Sequence, residues 1–124
     1  MSDCINNGNV SGVQYVGGLI GYNNTAGLNK GFNYGDIKGE SYVGGCAGYV
    51  STNTMYLQLS SLNNSGKVEG VTNVGGIAGY ARCNHGQGKS SISLCINEGD
   101  VTGEENIGGL IGQLNNRFAS SSMT

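Results

Sequence analysis

The chain has 124 residues, 24 of them glycine, no proline or tryptophan, and a net charge near -2. With 11% charged residues and no basic surplus, it lacks the cationic stripe that nucleic acid or an anionic membrane surface would require. No apolar run approaches the roughly 20 residues that span a bilayer. Composition alone would fit a disordered, low-complexity segment, but regularly placed Val, Ile and Leu argue against that.

In chain order, one phrase of nineteen residues is written four times. The copies begin at Cys4 (CINNGNVSGVQYVGGLIGY), Gly31 (GFNYGDIKGESYVGGCAGY), Leu62 (LNNSGKVEGVTNVGGIAGY) and Cys95 (CINEGDVTGEENIGGLIGQ). A key glycine, Gly8, Gly35, Gly66 or Gly99, recurs at intervals of 27, 31 and 33 residues. A glycine pair always follows nine residues later: Gly17–Gly18, Gly44–Gly45, Gly75–Gly76 and Gly108–Gly109. A fixed phrase joined by variable insertions marks a stacked repeat, in which one unit cannot bury its apolar face alone.

Each repeat holds three strand candidates separated by glycine or asparagine turns. The first precedes the key glycine and keeps an apolar register at Leu28, Leu59 and Ile92. The second is centred on Val10, Ile37, Val68 and Val101, each followed two residues later by a glycine. The third contains the glycine pair and ends at Tyr22, Tyr49, Tyr80 or Gln113. Val16 and Leu19 can both face inward only if the pair bends or bulges this strand. Three short strands per repeat predict one turn of an all-β, right-handed parallel β-solenoid of about four coils, stacked at about 4.8 Å. The array is expected over residues 3–117, with repeats at about 4–28, 29–57, 58–93 and 94–117; residues 118–124 read as a tail or the stump of a further coil. The first repeat starts almost at Met1 with no signal-peptide pattern ahead of it, as expected for a piece of a larger protein.

Charge placement favours in-register stacking. The residue after the key glycine reads Asn9, Asp36, Lys67, Asp100, and two further on Ser11, Lys38, Glu69, Thr102. No like charges fall on neighbouring turns at either position.

The segments YVGGLIGY, NVGGIAGY and NIGGLIGQ, each preceded by an N-x-G-x-V-x-G run, resemble the GLUG repeats of bacterial surface and secreted proteins. The likeness covers roughly residues 4–113; Cys46–Ala47 and Ile77–Ala78 depart from the usual Leu–Ile or Leu–Val. It implies an extracellular or cell-surface setting, in an adhesin-like protein or in the non-catalytic part of an IgA1-specific zinc metallopeptidase. Such a peptidase needs an H-E-x-x-H helix to hold zinc, and this chain has only His85.

The residues themselves point away from catalysis. Asp36, Asp100, Glu69, Glu98, Glu104 and Glu105 are scattered, and the adjacent pair Glu104–Glu105 would face opposite sides of a strand, whereas paired acid catalysis needs converging carboxyls. His85 has only Cys83 near it in sequence, no cysteine spacing fits zinc, and the aspartates recur too rarely for a calcium β-roll. No catalytic residue, metal or cofactor is therefore expected. Cys4 and Cys95 would lie about 14 Å apart along the stack, beyond disulfide reach. Cys46 reads as a buried thiol; Cys83, in an insertion, reads as the most exposed cysteine, with a Cys83–Cys95 bridge open to it.

Two ladders stand out. Asn6, Asn33, Asn64 and Asn97 precede each key glycine by two residues and predict an amide stack at a corner. Tyr22, Tyr49 and Tyr80 predict an aromatic column, either packed or offered to a ligand. Adaptable contacts are expected in the insertions Ser51–Gln58 and Arg82–Lys89. The reading is a structural module, a stiff spacer or interaction surface beside neighbouring repeats or domains of a parent chain. The alternative is a module binding a host glycan or protein. Exposed terminal coils would favour end-to-end self-association.

Overall fold

The computed structural model describes residues 2–24, 27–53, 56–83, 89–116 and 121–123, and its regular elements are all strands. The first coil is β1 (Ser2–Asn6), β2 (Val10–Ser11), β3 (Gln14–Gly17) and β4 (Ile20–Asn23); the second is β5 (Gly27–Asn33), β6 (Ile37–Lys38), β7 (Ser41–Gly44) and β8 (Ala47–Thr52). The third is β9 (Tyr56–Asn64), β10 (Val68–Glu69), β11 (Thr72–Gly75) and β12 (Ala78–Cys83). The fourth is β13 (Lys89–Ser93), β14 (Ile96–Asn97), β15 (Val101–Thr102), β16 (Glu105–Gly108) and β17 (Ile111–Asn116), and β18 (Ser121–Met123) follows.

Like strands of successive coils pair in parallel, giving four sheets: β1-β5-β9-β13-β18 with β14 also on β9, then β2-β6-β10-β15, β3-β7-β11-β16 and β4-β8-β12-β17. The register is that of the repeat, with Val10, Ile37, Val68 and Val101 in one column and Val16, Val43, Val74 and Ile107 in another. The chain is thus a parallel β-solenoid. β18, within the segment read as tail or stump, adds a further strand to the first sheet.

Each coil has four sides rather than three, the first-sheet side of the fourth coil being split into β13 and β14. The expected third strand breaks at the glycine pair: in the first coil β3 ends at Gly17 and β4 begins at Ile20. The cause is steric. A Cβ on Gly17 would run into the Ile20 carbonyl, and one on Gly18 into the Asn33 side chain and the Gly45 carbonyl. This bend resolves the spacing of Val16 and Leu19, because it sends them into two different cores.

The larger core lies between the first and fourth sheets and holds Leu28, Val50, Leu57, Leu59, Leu62, Ile77 and Ile92, with Leu19 against its edge. The smaller lies between the second and third sheets and holds Val16, Ile37, Val43, Val68 and Val74. Burying each of these side chains contributes about 1.5–3 kcal/mol against exposure. Between the two cores run the asparagines, with Asn33 against Gly18, Asn64 against Gly45 and Asn97 against Gly76.

No described glycine has a positive φ; the left-handed positions belong to other residues. Tyr15, Tyr42, Asn73 and Asn106 fall seven residues after the key glycine, and Lys30, Ser61 and Leu94 five before it, all with φ between 54° and 56°. At the second site the kink breaks the alternation, so that Leu28, Gly31 and Asn33 all face inward while Asn29 and Lys30 face out. The left-handed conformation costs an L-residue about 1–2 kcal/mol, and asparagine tolerates it best after glycine. Leu94 is 72% exposed and so has little packing to lose. Leu94→Asn is expected to raise stability by about 0.5–1 kcal/mol, read as a higher denaturant midpoint at unchanged m-value.

Candidate functional site: an outward tyrosine double column beside a buried amide ladder

Asn6, Asn33, Asn64 and Asn97 close the last turn of each first-sheet strand and form one hydrogen-bonded column. The Nδ2 of Asn6 donates to Oδ1 of Asn33 (2.8 Å), Asn33 to Asn64 (2.7 Å) and Asn64 to Asn97 (2.8 Å). Each Nδ2 also donates to the carbonyl of its own key glycine at 2.7–2.9 Å. In three coils the key glycine N–H donates back to the same Oδ1. Asn33 and Asn64 are 1% exposed, so these bonds form where no water competes. The middle of the ladder is internal, and only its end members, Asn6 and Asn97, are partly exposed.

Tyr22, Tyr49 and Tyr80 stack along the fourth sheet with ring centroids 5.0 and 4.9 Å apart and planes within 9° and 10°. A second column that the sequence reading missed lies beside it. Tyr15 and Tyr42 stack at 5.1 Å and 7° and meet the first column edge to face. Seven residues after the key glycine the chain reads Tyr, Tyr, Asn, Asn, so only half of the repeats carried the signal. Tyr22 is half exposed, while Tyr42, Tyr49 and Tyr80 are partly buried. Burial raises the Tyr49 phenol above its ordinary range, against a hydrogen bond from Arg82 that lowers it.

This geometry limits what the columns can do. A sugar stacks on an open aromatic face, but Tyr49 has one face against Tyr22 and the other against Tyr80. The exposed rings are end members of the columns, Tyr15 at 39% and Tyr22 at 50%. A separate apolar strip lies on the outside of the first sheet, where Ile5, Phe32 and Ile96 share one column with Asn63. Phe32 also stacks with the exposed Tyr34.

Asp36 Oδ1 accepts the Lys67 backbone N–H, and Asn9 Oδ1 accepts that of Asp36. Lys67 pairs with Glu69 at 2.7 Å within one coil rather than across coils. That contact lowers the Glu69 pKa and raises that of Lys67. Among the described residues no three His, Cys, Asp or Glu side chains group as a metal site. His85 and the rest of 84–88 lie outside the described residues. Both expected insertions are shorter than read, since Ser51 and Thr52 belong to β8, Tyr56–Gln58 to β9, and Arg82 and Cys83 to β12.

None of the four cysteines is in a disulfide. Cys83, expected to be the most exposed, is fully buried, because β12 continues through it and turns its side chain into the larger core. Burial, and to a smaller extent the nearby Cys95 thiol, pushes the Cys46 thiol up to about 12; burial raises Cys95 too. Cys46 is therefore expected to resist thiol reagents until the array unfolds. The folded-state pKa is the raised one, so this contribution to stability is whole below the ordinary thiol pKa near 9 and is lost as pH rises toward about 12. The slope is about 1.4 kcal/mol per pH unit for one such thiol. Urea unfolding at stepped alkaline pH checks it, with Cys46→Ala expected to flatten the loss.

Fold and faces together define a β-solenoid repeat protein. No family model, curated protein or solved structure matches the chain.

Proposed function

We infer that the chain is a non-catalytic structural module of a bacterial cell-surface or secreted adhesin-like protein, serving as a stiff spacer. The observation that carries this reading is the unbroken register of four parallel ladders around a buried amide column. Hydrogen bonds, aromatic stacking and apolar columns all run coil to coil along one axis, which is what resists bending and stretching. The likeness to GLUG repeats supplies the setting. Pulling the array between terminal tags is expected to release coils stepwise, each step freeing on the order of 30 residues, roughly 100 Å of chain. Collapse in one event at low force would sink the spacer reading.

A second reading, recognition of a host protein or glycan, draws on the two tyrosine columns and the Ile5, Phe32, Ile96 strip. Mutual ring coverage disfavours stacked sugars and favours a protein partner laid across the columns. A saturable ligand found on protein or glycan arrays and lost in Tyr22→Ala or Phe32→Ala would decide for this reading.

A further inference from the structure

At three of the four key glycines the backbone of the coil above leaves no room for a side chain. A Cβ on Gly35 would collide with the Gly8 carbonyl, one on Gly66 with that of Gly35, and one on Gly99 with that of Gly66. The second glycine of three of the four pairs is crowded from the coil below in the same way: Gly18 by Asn33 and the Gly45 carbonyl, Gly45 by Asn64 and the Gly76 carbonyl, Gly76 by Asn97 and the Gly109 carbonyl. Two glycines in these columns escape. A Cβ on Gly8 would meet only Asn6 Oδ1 at 3.8 Å, and one on Gly109 would meet nothing within 4 Å. Among the described glycines these two alone have such room. Glycine at these two places has no steric use in a lone chain, and it costs backbone entropy.

Both become necessary once a further coil is present, above the first coil and below the fourth. We propose that the two ends of this solenoid are complementary and that copies of the chain stack head to tail, the first coil of one copy docking under the fourth coil of another. Polar groups at the two ends match. Asn97 Nδ2 would donate to Asn6 Oδ1 of the next copy, as each Nδ2 does within the array. Asp100 would accept the Asn9 N–H of the next copy, as Asn9 accepts Asp36 and Asp36 accepts Lys67. Glu98, Asp100, Glu104 and Glu105 of the fourth coil would meet a stretch from Cys4 to Asn29 that carries no charge.

Among the described residues the strand edge is also open beyond β18. β18 covers only Ser90–Ile92 of β13. Continuing the register from Ser2 through Asn29 and Ser60 to Ser93, and from Asn6 to Asn97, places the next copy's β1 on the edge just beyond it. Such a heterologous contact repeats without closing and gives short filaments. It requires the coil geometry and uncovered first and fourth coil faces, and not that the array bears load, so its test is separate from that of the spacer reading.

Sedimentation velocity on the whole chain across a concentration series tests it. Wild type is expected to associate as concentration rises. Gly8→Val and Gly109→Val are each expected to stay monomeric, with unchanged circular dichroism and unchanged melting of the monomer. Mixed in equal amounts, the intact lower end of the first variant meets the intact upper end of the second, so a dimer and nothing larger is expected. Gly8→Ala and Gly109→Ala repeat the test if either valine variant fails to fold, because the collision is at Cβ itself. A wild type that stays monomeric, a single variant that still associates, or a mixture that gives no dimer would overturn the proposal.

Discussion

Gly66→Ala is expected to cost roughly 3–5 kcal/mol or to prevent folding, a very large effect for one added methyl group. The new Cβ falls on the Gly35 carbonyl, close to Asn33 Nδ2. Neither neighbour is a flexible side-chain tip that can swing aside. The strain has to be relieved by spreading two coils, which opens the flanking bonds from Ser65 N–H to the Asn33 carbonyl and from Ile37 N–H to the Lys67 carbonyl. A chain of this size has a total stability of only about 0.05–0.15 kcal/mol per residue, so such a loss removes a large part of it. The built-in control is Gly8→Ala, the same repeat position without a coil above, expected to change monomer stability by less than about 0.5 kcal/mol. Equilibrium denaturation of both variants at low protein concentration measures the contrast, and equal effects would contradict the steric account.

The second large effect is expected from Asn64→Ala. That side chain accepts from Asn33 and donates to both the Gly66 carbonyl and Asn97, all at 2.7–2.8 Å. Truncation takes the Asn64 donor from the Gly66 carbonyl and one bond each from Asn33 Nδ2, which keeps the Gly35 carbonyl, and Asn97 Oδ1, which keeps the Gly99 N–H. A lost buried bond costs about 1–3 kcal/mol, so a total loss of roughly 3–5 kcal/mol is expected. Asn64→Asp probes the same site by charge. It places a carboxylate where a donor is required, against the acceptors of Gly66 and Asn97. Burial and these acceptors raise the carboxyl pKa in the folded state. Stability of this variant is therefore greatest below the ordinary carboxyl pKa of about 3.9 and falls as pH rises above it. Chemical denaturation from acid to neutral pH, with wild type as reference, reads that slope directly.

Much of this architecture is legible in the residues because a repeat carries its own register. The fixed nine-residue step from Gly35 to Gly44, against variable spacing between repeats, already requires like residues to stack. The asparagine column follows from the same logic. What could not be read was the reason for the glycines. A glycine in a strand pattern signals a turn or a close approach with equal force, and only the coil above or below decides between them. The left-handed sites escaped notice for the converse reason, since Tyr15, Lys30 and Leu94 are residue types that rarely adopt that conformation. The column of Tyr15 and Tyr42 was hidden because it ends in Asn73 and Asn106. Cys83 was misplaced because a strand that lengthens from Asn23 in the first coil to Cys83 in the third leaves no compositional mark.

Variation in repeat length falls in the fourth-sheet strand of one coil, the first-sheet strand of the next and the junction between them. Strands β8 and β9 are each two residues longer than β4 and β5, and the junctions run from Asn23 to Gly27, Thr52 to Tyr56 and Cys83 to Lys89. Because the strands that bound these junctions pair coil to coil, their ends lie on one side of the stack at intervals of about 4.8 Å. That side works as a rail. A peptide epitope or a tag spliced in at any of the three would emerge on the same side, and splicing into two of them would hold the pair at a spacing fixed by the number of coils between.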